Sequence, residues 1–189
     1  ADTVSNVDEF FSEDWKNYGS VDGTLYAAPL GASVKSLVWY SPADFADNGY
    51  EVPETWDDMM SLTDQIAQDH GEDGLTKPWC VGFGDGAATG WVGTDWIEDT
   101  LLRTAGGDVY DQWVAHEIPF NDPQVVEAFN TAGEILTNDD YVNGGLGDSK
   151  TISTTAFPDA GLQILDGTCF LHRQASFYAG MWGEGVEVA

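Results

Sequence analysis

The densest group of chemically active side chains lies in the stretch GTCFLHRQASFY, residues 167–178. The chain has only two Cys and three His, yet Cys169, His172, Arg173 and Gln174 stand close together here. These residue types suit four different roles: a nucleophilic catalytic cluster, a metal site, one wall of a binding site, or a buried strand. The other motifs of the chain indicate which of these four roles is favoured.

The motifs elsewhere favour neither metal binding nor catalysis. His70, His116 and His172 follow no metal-ligand spacing, and no H-E-x-x-H helix, EF-hand loop or G-x-S-x-G element is present. Carboxylate pairs such as Asp95 and Glu98 are expected on the solvated faces of so acidic a chain, so they are weak evidence for a glycosidase. These motifs therefore disfavour a glycosidase, a serine hydrolase and a transition-metal site, and surface calcium stays open.

The two cysteines lie in similar settings, Cys80 in PWCVGF and Cys169 in GTCFLH. Two buried free thiols and one disulfide are both compatible with these short apolar runs. No C-x-x-C motif is present, which argues against thioredoxin-type chemistry, and two Cys are too few for a zinc ribbon. An oxidising compartment would favour the disulfide.

A glycine-rich loop, GFGDGA at residues 82–87, follows a predicted strand and precedes a predicted helix. It loosely matches the dinucleotide fingerprint, but the acidic residue at the right distance, Asp108, does not end an apolar strand. Nucleotide binding is therefore disfavoured. The loop is better suited to bring backbone close to a ligand at the N-terminus of the helix, where free N–H groups point outward.

The aromatic residues are the most informative group, because eight Trp are many for this length. Core packing is the simplest explanation for several of them, namely Trp15, Trp39, Trp56 and Trp113. Trp91, Trp96 and Phe177 instead flank small and polar residues, in TGW, TDW and QASF. Aromatic rings beside carboxylate, amide and guanidinium groups bind sugars well, since a sugar has an apolar C–H face and a rim of hydroxyls.

Charge limits the partners of the chain. It carries 33 acidic and 6 basic residues, a formal net charge of -27. Such a surface repels nucleic acid and anionic membranes. No run of about 18 apolar residues is present, so we expect no membrane span.

The periodicity predicts strands interleaved with helices, which is typical of an α/β layered fold. Asp22-Gly23 predicts a hairpin turn, Ser41-Pro42 and Asp122-Pro123 predict helix starts, and Thr55 with Asp58 predicts a capping box. The predicted strands are 25–30, 33–40, 78–83 and 167–173, and the predicted helices are 5–18, 42–48, 55–70, 90–106, 108–117, 122–136, 152–166 and 175–182.

Three long segments resemble carbohydrate ABC-transporter solute-binding proteins, that is, extracellular solute-binding protein family 1. The segment LYAAPLGASVKSLVWYSPADFADNGYEVPETWDDM resembles the part of that family in which the chain crosses between lobes. The segments TGWVGTDWIEDTLLRTAGGDVYDQWVAHEIPFNDPQVVEAF and LDGTCFLHRQASFYA are similar to the alpha-glucoside-binding branch. The resemblance runs from about residue 20 to residue 183.

The resemblance implies a periplasmic-binding-protein type II-like lobe with a mixed sheet flanked by helices. Residues 1–189 would form a single α/β lobe, the second of two, with 1–20 as a segment leading in from a first lobe. The same resemblance implies a set of ligand-binding residues that face an interlobe cleft: Asp85, Thr89, Gly90, Trp91, Arg173, Gln174, Phe177 and, more weakly, Lys35. An extracellular setting would also favour the Cys80–Cys169 disulfide.

The implied function is the substrate-binding component of an ABC sugar importer, which binds an alpha-glucoside or related oligosaccharide and delivers it to membrane permease subunits. The implied protein is a non-enzymatic monomer without a cofactor. It binds no nucleic acid and is extracellular, either as a cell-surface lipoprotein or periplasmic. The alternatives are an extracellular glycoside hydrolase, a glycan-binding module, and an adhesion or structural module in which the aromatic residues are core.

Overall fold

The computed structural model describes residues 2–72, 74–145 and 148–188. The chain forms two compact units, residues 1–34 and 35–189. The assignment of residues 1–189 to a single lobe, with 1–20 leading in, stays a prediction.

The first unit consists of two short helices and a hairpin. Helix α1 covers Asp2–Phe10 and helix α2 covers Glu13–Tyr18, so the predicted single helix over 5–18 is interrupted near Ser12. Strands β1 (Ser20–Val21) and β2 (Thr24–Leu25) form the hairpin, and Asp22 and Gly23 both have positive φ, 50° and 74°. Such a two-residue turn matches the right-handed twist of the flanking strands, which confirms the predicted turn.

The predicted strand over 25–30 is wrong beyond Leu25. Strand β2 pairs with β1 alone, and Tyr26 and Leu30 expose most of their surface to solvent. Beyond Leu25, the backbone N–H groups of Tyr26 and Ala27 both donate to Gly19 O, at 2.9 and 3.1 Å, and the ladder does not continue. A stable strand also needs a buried face, which these exposed side chains do not form.

The second unit is built on a mixed sheet of β3 (Leu37–Tyr40), β4 (Lys77–Cys80), β5 (Val142–Asn143) and β6 (Cys169–Gln174). The strand order is β3-β6-β4-β5, with β3 antiparallel to β6 and the other pairs parallel. The sheet is flanked by helices, so the predicted mixed α/β fold is confirmed. Because β4 and β6 are parallel neighbours, the loops that follow them leave the same edge of the sheet.

The helices begin and end largely where the local signals place them. Their bounds are α3 Pro42–Asn48, α4 Trp56–His70, α5 Trp91–Ala105, α6 Gly107–Val114, α7 Pro123–Leu136 and α8 Phe157–Ala160. The side chains of Ser41, Thr55 and Asp122 accept the expected capping hydrogen bonds, and Thr55 and Asp58 complete a reciprocal capping box. Each such cap is worth about 1 kcal/mol.

Two predicted helices are much shorter than expected. Residues 152–166 contain only α8 and a 3₁₀ turn at 161–164, and residues 176–181 are 3₁₀ rather than α. In the first of these, residues 152–156 are not helical, and the carbonyls of Ile152 and Thr155 accept backbone hydrogen bonds from the loop after β4. That pairing is central to the candidate site.

The main core joins the sheet to α4 and α5 through a buried tryptophan. The ring of Trp79 packs edge-on against Trp96 of α5, with centroids 5.4 Å apart. Trp96 is 2% exposed, so it belongs to the core and not to an exposed ring face. The indole Nε1–H of Trp79 donates to Thr63 Oγ1 of α4 at 3.0 Å. The polar edge of a fully buried indole is thereby satisfied, and two helices are fixed on one strand.

Candidate functional site

The loop between β4 and α5, residues 81–90, is shaped by its own polar groups. The backbone N–H of Asp85 donates to Thr89 Oγ1 at 2.9 Å, and that hydroxyl donates to the carbonyl of Gly86, also at 2.9 Å. Gly90 has φ 111° and stands directly before α5. This positive φ favours glycine, so the chain can turn sharply into the helix here.

The same loop is paired with residues 152–157. Phe83 N donates to Ile152 O at 2.7 Å, Gly84 N donates to Thr155 O at 2.8 Å, and Phe157 N donates to Gly84 O at 3.0 Å. A Cβ on Gly84 would lie 2.9 Å from Thr155 O, so only glycine permits this close approach. The pairing brings the side chain of Phe157 to the start of α5.

Three aromatic side chains meet there, and we call Trp91, Phe157 and Phe177 the aromatic cluster. The ring centroids of Trp91 and Phe157 are 5.0 Å apart, those of Trp91 and Phe177 are 6.0 Å apart, and those of Phe157 and Phe177 are 6.3 Å apart. Phe177 is 37% exposed, the most accessible ring of the three. Trp91 and Phe177 are among the residues predicted from the sequence, and Phe157 is not. The only sequence signal of Phe157 is an aromatic residue before Pro158 in a run of small residues.

Two predicted polar residues contact Trp91. Its indole Nε1–H donates to Asp85 Oδ2 at 3.0 Å, and this carboxylate is exposed. The ammonium Nζ of Lys35 lies 4.9 Å from the centroid of the Trp91 ring. Lys35 Nζ also forms an ion pair with Asp95 Oδ2 at 2.7 Å. The structure therefore brings Asp85, Thr89, Gly90, Trp91, Phe177 and Lys35 together around one exposed surface.

Arg173 takes a different place, because it is buried, with 5% of its surface exposed. Its Nη2 donates to Ser36 Oγ at 2.7 Å and to the carbonyl of Asp95 at 2.6 Å, and its Nε donates to Asp99 Oδ2 at 3.2 Å. The guanidinium also stacks over Trp96, 4.9 Å from the ring centroid. Burial lowers the pKa of Arg173, while the nearby Asp99 carboxylate acts in the opposite direction. These contacts fix α5 against β6 and the start of β3.

Gln174 is also buried, with 2% of its surface exposed. Its Oε1 accepts from the backbone N–H of Ala175 at 2.8 Å, and its Nε2 has no hydrogen-bond partner among the described residues. Its backbone carbonyl accepts from Trp39 Nε1 at 3.2 Å. The ligand contacts predicted for Arg173 and Gln174 stay predictions, and the structure shows both residues inside the unit, behind the exposed surface.

Cys80 and Cys169 form a disulfide between β4 and β6, with a sequence separation of 89 residues. The predicted disulfide is confirmed.

His172 is a buried histidine beside the disulfide. Its Nδ1 lies 2.9 Å from the carbonyl oxygen of Cys80, and its ring centroid lies 4.6 Å from that of Tyr178. Since a carbonyl only accepts, Nδ1 carries the hydrogen. Burial lowers the pKa of His172 from 6.5 to about 4, so the imidazole is neutral at pH 7.

The exposed surface has the chemistry of a binding site for a partly apolar, hydroxylated ligand. It presents an aromatic ring face, a carboxylate and an ammonium group within a short span.

Among residues 2–72, 74–145 and 148–188, no three His, Cys, Asp or Glu side chains are grouped to hold a metal ion. Within the same residues no helix is both long and apolar enough to cross a membrane.

The family model of the bacterial extracellular solute-binding protein matches residues 1–156. This chain belongs to that family. The resemblance seen in the sequence is thereby confirmed, and the family is extracellular by its description.

Two relatives match nearly the whole chain. The osmoprotective compounds-binding protein GgtB of Synechocystis is 46% identical over 94% of this chain and 41% of its own length. The alpha-glucosides-binding periplasmic protein AglE of Rhizobium meliloti is 47% identical over 93% of this chain and 37% of its own length. The chain thus spans about two fifths of the length of these relatives. Both relatives are described as binding proteins rather than enzymes.

Solved structures of sugar-binding proteins share the fold. A chitin oligosaccharide binding protein has a TM-score of 0.71 at 21% identity, covering 95% of this chain and 42% of the other. The solute receptor AcbH has a TM-score of 0.67 at 24% identity, covering 97% of this chain and 43% of the other. At these identities the likeness concerns the fold alone.

Proposed function

We propose that this chain is part of the substrate-binding component of an ABC sugar importer, and that its ligand is an alpha-glucoside or a related oligosaccharide. The observation that carries the proposal is the aromatic cluster, hydrogen-bonded through Trp91 to the exposed carboxylate of Asp85. The similarity to AglE, an alpha-glucosides-binding protein, supports this ligand class. The similarity to GgtB adds osmoprotective compounds as candidates.

In the proposed mode of binding, a sugar ring stacks on the exposed face of Phe177 while its hydroxyls reach the Asp85 carboxylate. Stacked aromatic contacts contribute about 0.5–1.5 kcal/mol beyond area burial, and a hydrogen bond to a charged group contributes about 1.5–3 kcal/mol. Thr89 and Gly90 shape the loop, and Arg173 and Gln174 hold the elements behind it. The binding role of all these residues is part of the proposal.

In the whole protein, this chain would form the second lobe of a two-lobed binding protein, and residues 1–20 would lead in from the first lobe. The lobes would close around the ligand by a hinge motion. The loaded protein would deliver the sugar to permease subunits. It would be a non-catalytic monomer outside the cell membrane, either lipid-anchored or periplasmic.

The test is titration calorimetry of the full-length protein with maltose, trehalose, sucrose and isomaltose. We expect saturable binding of at least one sugar and unchanged sugar after incubation. Phe177→Ala should weaken that binding about ten-fold, whereas Phe129→Ala, which removes a similarly exposed ring from α7, should not change it. Hydrolysis of a sugar, or equal effects of the two variants, would overturn the proposal.

A further inference from the structure

The ammonium group of Lys35 lies over the face of the Trp91 ring. Its Nζ lies 4.9 Å from the centroid of the Trp91 ring, within the range at which the negative face of an indole attracts a cation. We propose that Lys35 is a specificity-determining residue: it fills the cation-binding face of the aromatic cluster with an ammonium group of the protein and so restricts the site to uncharged ligands. This inference rests on the proposed function, since it concerns the same site.

Without Lys35, one indole face with a carboxylate beside it would be open to a cation. The rings of Trp91, Phe157 and Phe177 pack on one another, with centroids 5.0, 6.0 and 6.3 Å apart, so a cation would contact the Trp91 face that Lys35 now covers. The Asp95 carboxylate, which now pairs with Lys35, would lie beside it. The formal net charge of -27 would raise the local concentration of any cationic solute further.

The lysine is held in place by a rigid partner. Asp95 accepts from Lys35 at 2.7 Å, and its carboxylate is only 17% exposed. The backbone carbonyl of Asp95 accepts from the buried Arg173 at 2.6 Å, which fixes this turn of α5. Removal of the Lys35 charge would therefore leave a fixed carboxylate next to an open indole face, and both favour a new cation.

No other described cation is placed in this way. Among the described residues, Lys35 and Arg173 lie over aromatic rings, but Arg173 is buried over Trp96, away from the exposed surface. Lys150, in contrast, pairs with Asp139 and has a 75% exposed side chain. It offers a control for the loss of one positive charge.

The experiment measures choline binding by titration calorimetry to the full-length wild-type protein and to its Lys35→Met, Lys35→Arg and Lys150→Met variants. We expect Lys35→Met to bind choline at least about ten-fold more tightly than the other three proteins do. The uncharged carbon analogue of choline, in which carbon replaces nitrogen, should show no such gain. Adding Trp91→Leu to Lys35→Met should remove the gain.

Three outcomes would overturn the inference: wild type binds choline as tightly as Lys35→Met, Lys35→Arg gains as much as Lys35→Met, or the gain survives the loss of Trp91. Because the Lys35 side chain is about half exposed, the variants are expected to fold, and Lys35→Gln serves as a second neutral variant if Lys35→Met does not. The sugar titrations of the wild type test the proposed function separately, so a failure there is distinguishable from a failure here.

Discussion

The indole Nε1–H of Trp91 donates to the carboxylate of Asp85 at 3.0 Å, although both side chains lie at the surface of the unit. The bond sets the orientation of the ring that contacts both Phe157 and Phe177. It also leaves the remaining lone pairs of the carboxylate available to a ligand hydroxyl. The relationship between these two residues therefore links the loop after β4 to the aromatic cluster.

Asp85→Ala should weaken sugar binding by about ten-fold or more, since it removes both the proposed ligand acceptor and the bond that orients Trp91. The melting temperature should change little, because Asp85 is exposed. Asp85→Asn retains an acceptor oxygen and should lose less affinity. Calorimetry with whichever sugar binds the wild type measures the ranking, and a larger loss for Asn than for Ala would contradict it.

Gly84→Ala should destabilise the fold by about 1–3 kcal/mol, because its Cβ would lie 2.9 Å from the carbonyl oxygen of Thr155. The pairing that carries Phe157 would have to open. Gly133 of α7 is the matched control, since a Cβ there meets nothing within 4 Å. Gly133→Ala should stabilise by about 0.5–1 kcal/mol. Urea denaturation of both variants measures the difference.

Reduction of the Cys80–Cys169 disulfide should lower the melting temperature. Closure of a loop between residues 89 positions apart is worth about 4–5 kcal/mol in the chain-entropy model, an upper-end value. The chain has no other Cys, so no thiol within it can replace either partner. Scanning calorimetry with and without reductant measures the effect, and the Cys80→Ala, Cys169→Ala double variant should be insensitive to reductant. Equal melting temperatures for the wild type would contradict a stabilising role.

The stability of the fold should fall with acidification partly through His172. The pKa of His172 is about 4 in the folded protein and 6.5 in the unfolded chain, so the unfolded chain binds the proton more tightly. Above pH 6.5 this group does not lower the free energy of unfolding. As the pH falls from 6.5 towards 4, protonation of the unfolded chain lowers that free energy, by about 3 kcal/mol in all.

The measurement is urea unfolding of the wild type and His172→Gln between those two pH values. The variant removes one titrating group, so its stability should depend less steeply on pH than that of the wild type. Parallel pH profiles for the two proteins would show that His172 does not contribute.

Salt should stabilise the protein, because 33 acidic residues face only 6 basic ones. Mutual repulsion of exposed carboxylates is screened over about 10 Å at 0.1 M salt. The melting temperature should therefore rise with sodium chloride, most steeply at low concentration. A melting temperature that is flat or falls between about 0.01 and 0.2 M would argue against this.

Features that depend on neighbouring residues could be predicted from the amino-acid sequence alone. The turn at Asp22-Gly23, the caps at Ser41 and Asp122 and the box of Thr55 with Asp58 are local conformational preferences, and each is where it was predicted. Similarity over long segments predicted the family, and the same similarity together with the two Cys predicted the disulfide. The prediction of a strand over 25–30 was wrong beyond Leu25, because a strand also needs a paired neighbour along its whole length.

The composition of the candidate site depends on contacts between residues that are far apart in the sequence. Phe157 joins the cluster because residues 152–157 pair with a loop about 70 positions earlier in the chain, which no local pattern encodes. Arg173 and Gln174 follow one another in a stretch rich in functional residue types, yet both are buried, because β6 lies between β3 and β4 in the sheet. Burial depends on strand order, and strand order is set by packing of the whole unit rather than by the residues of one strand.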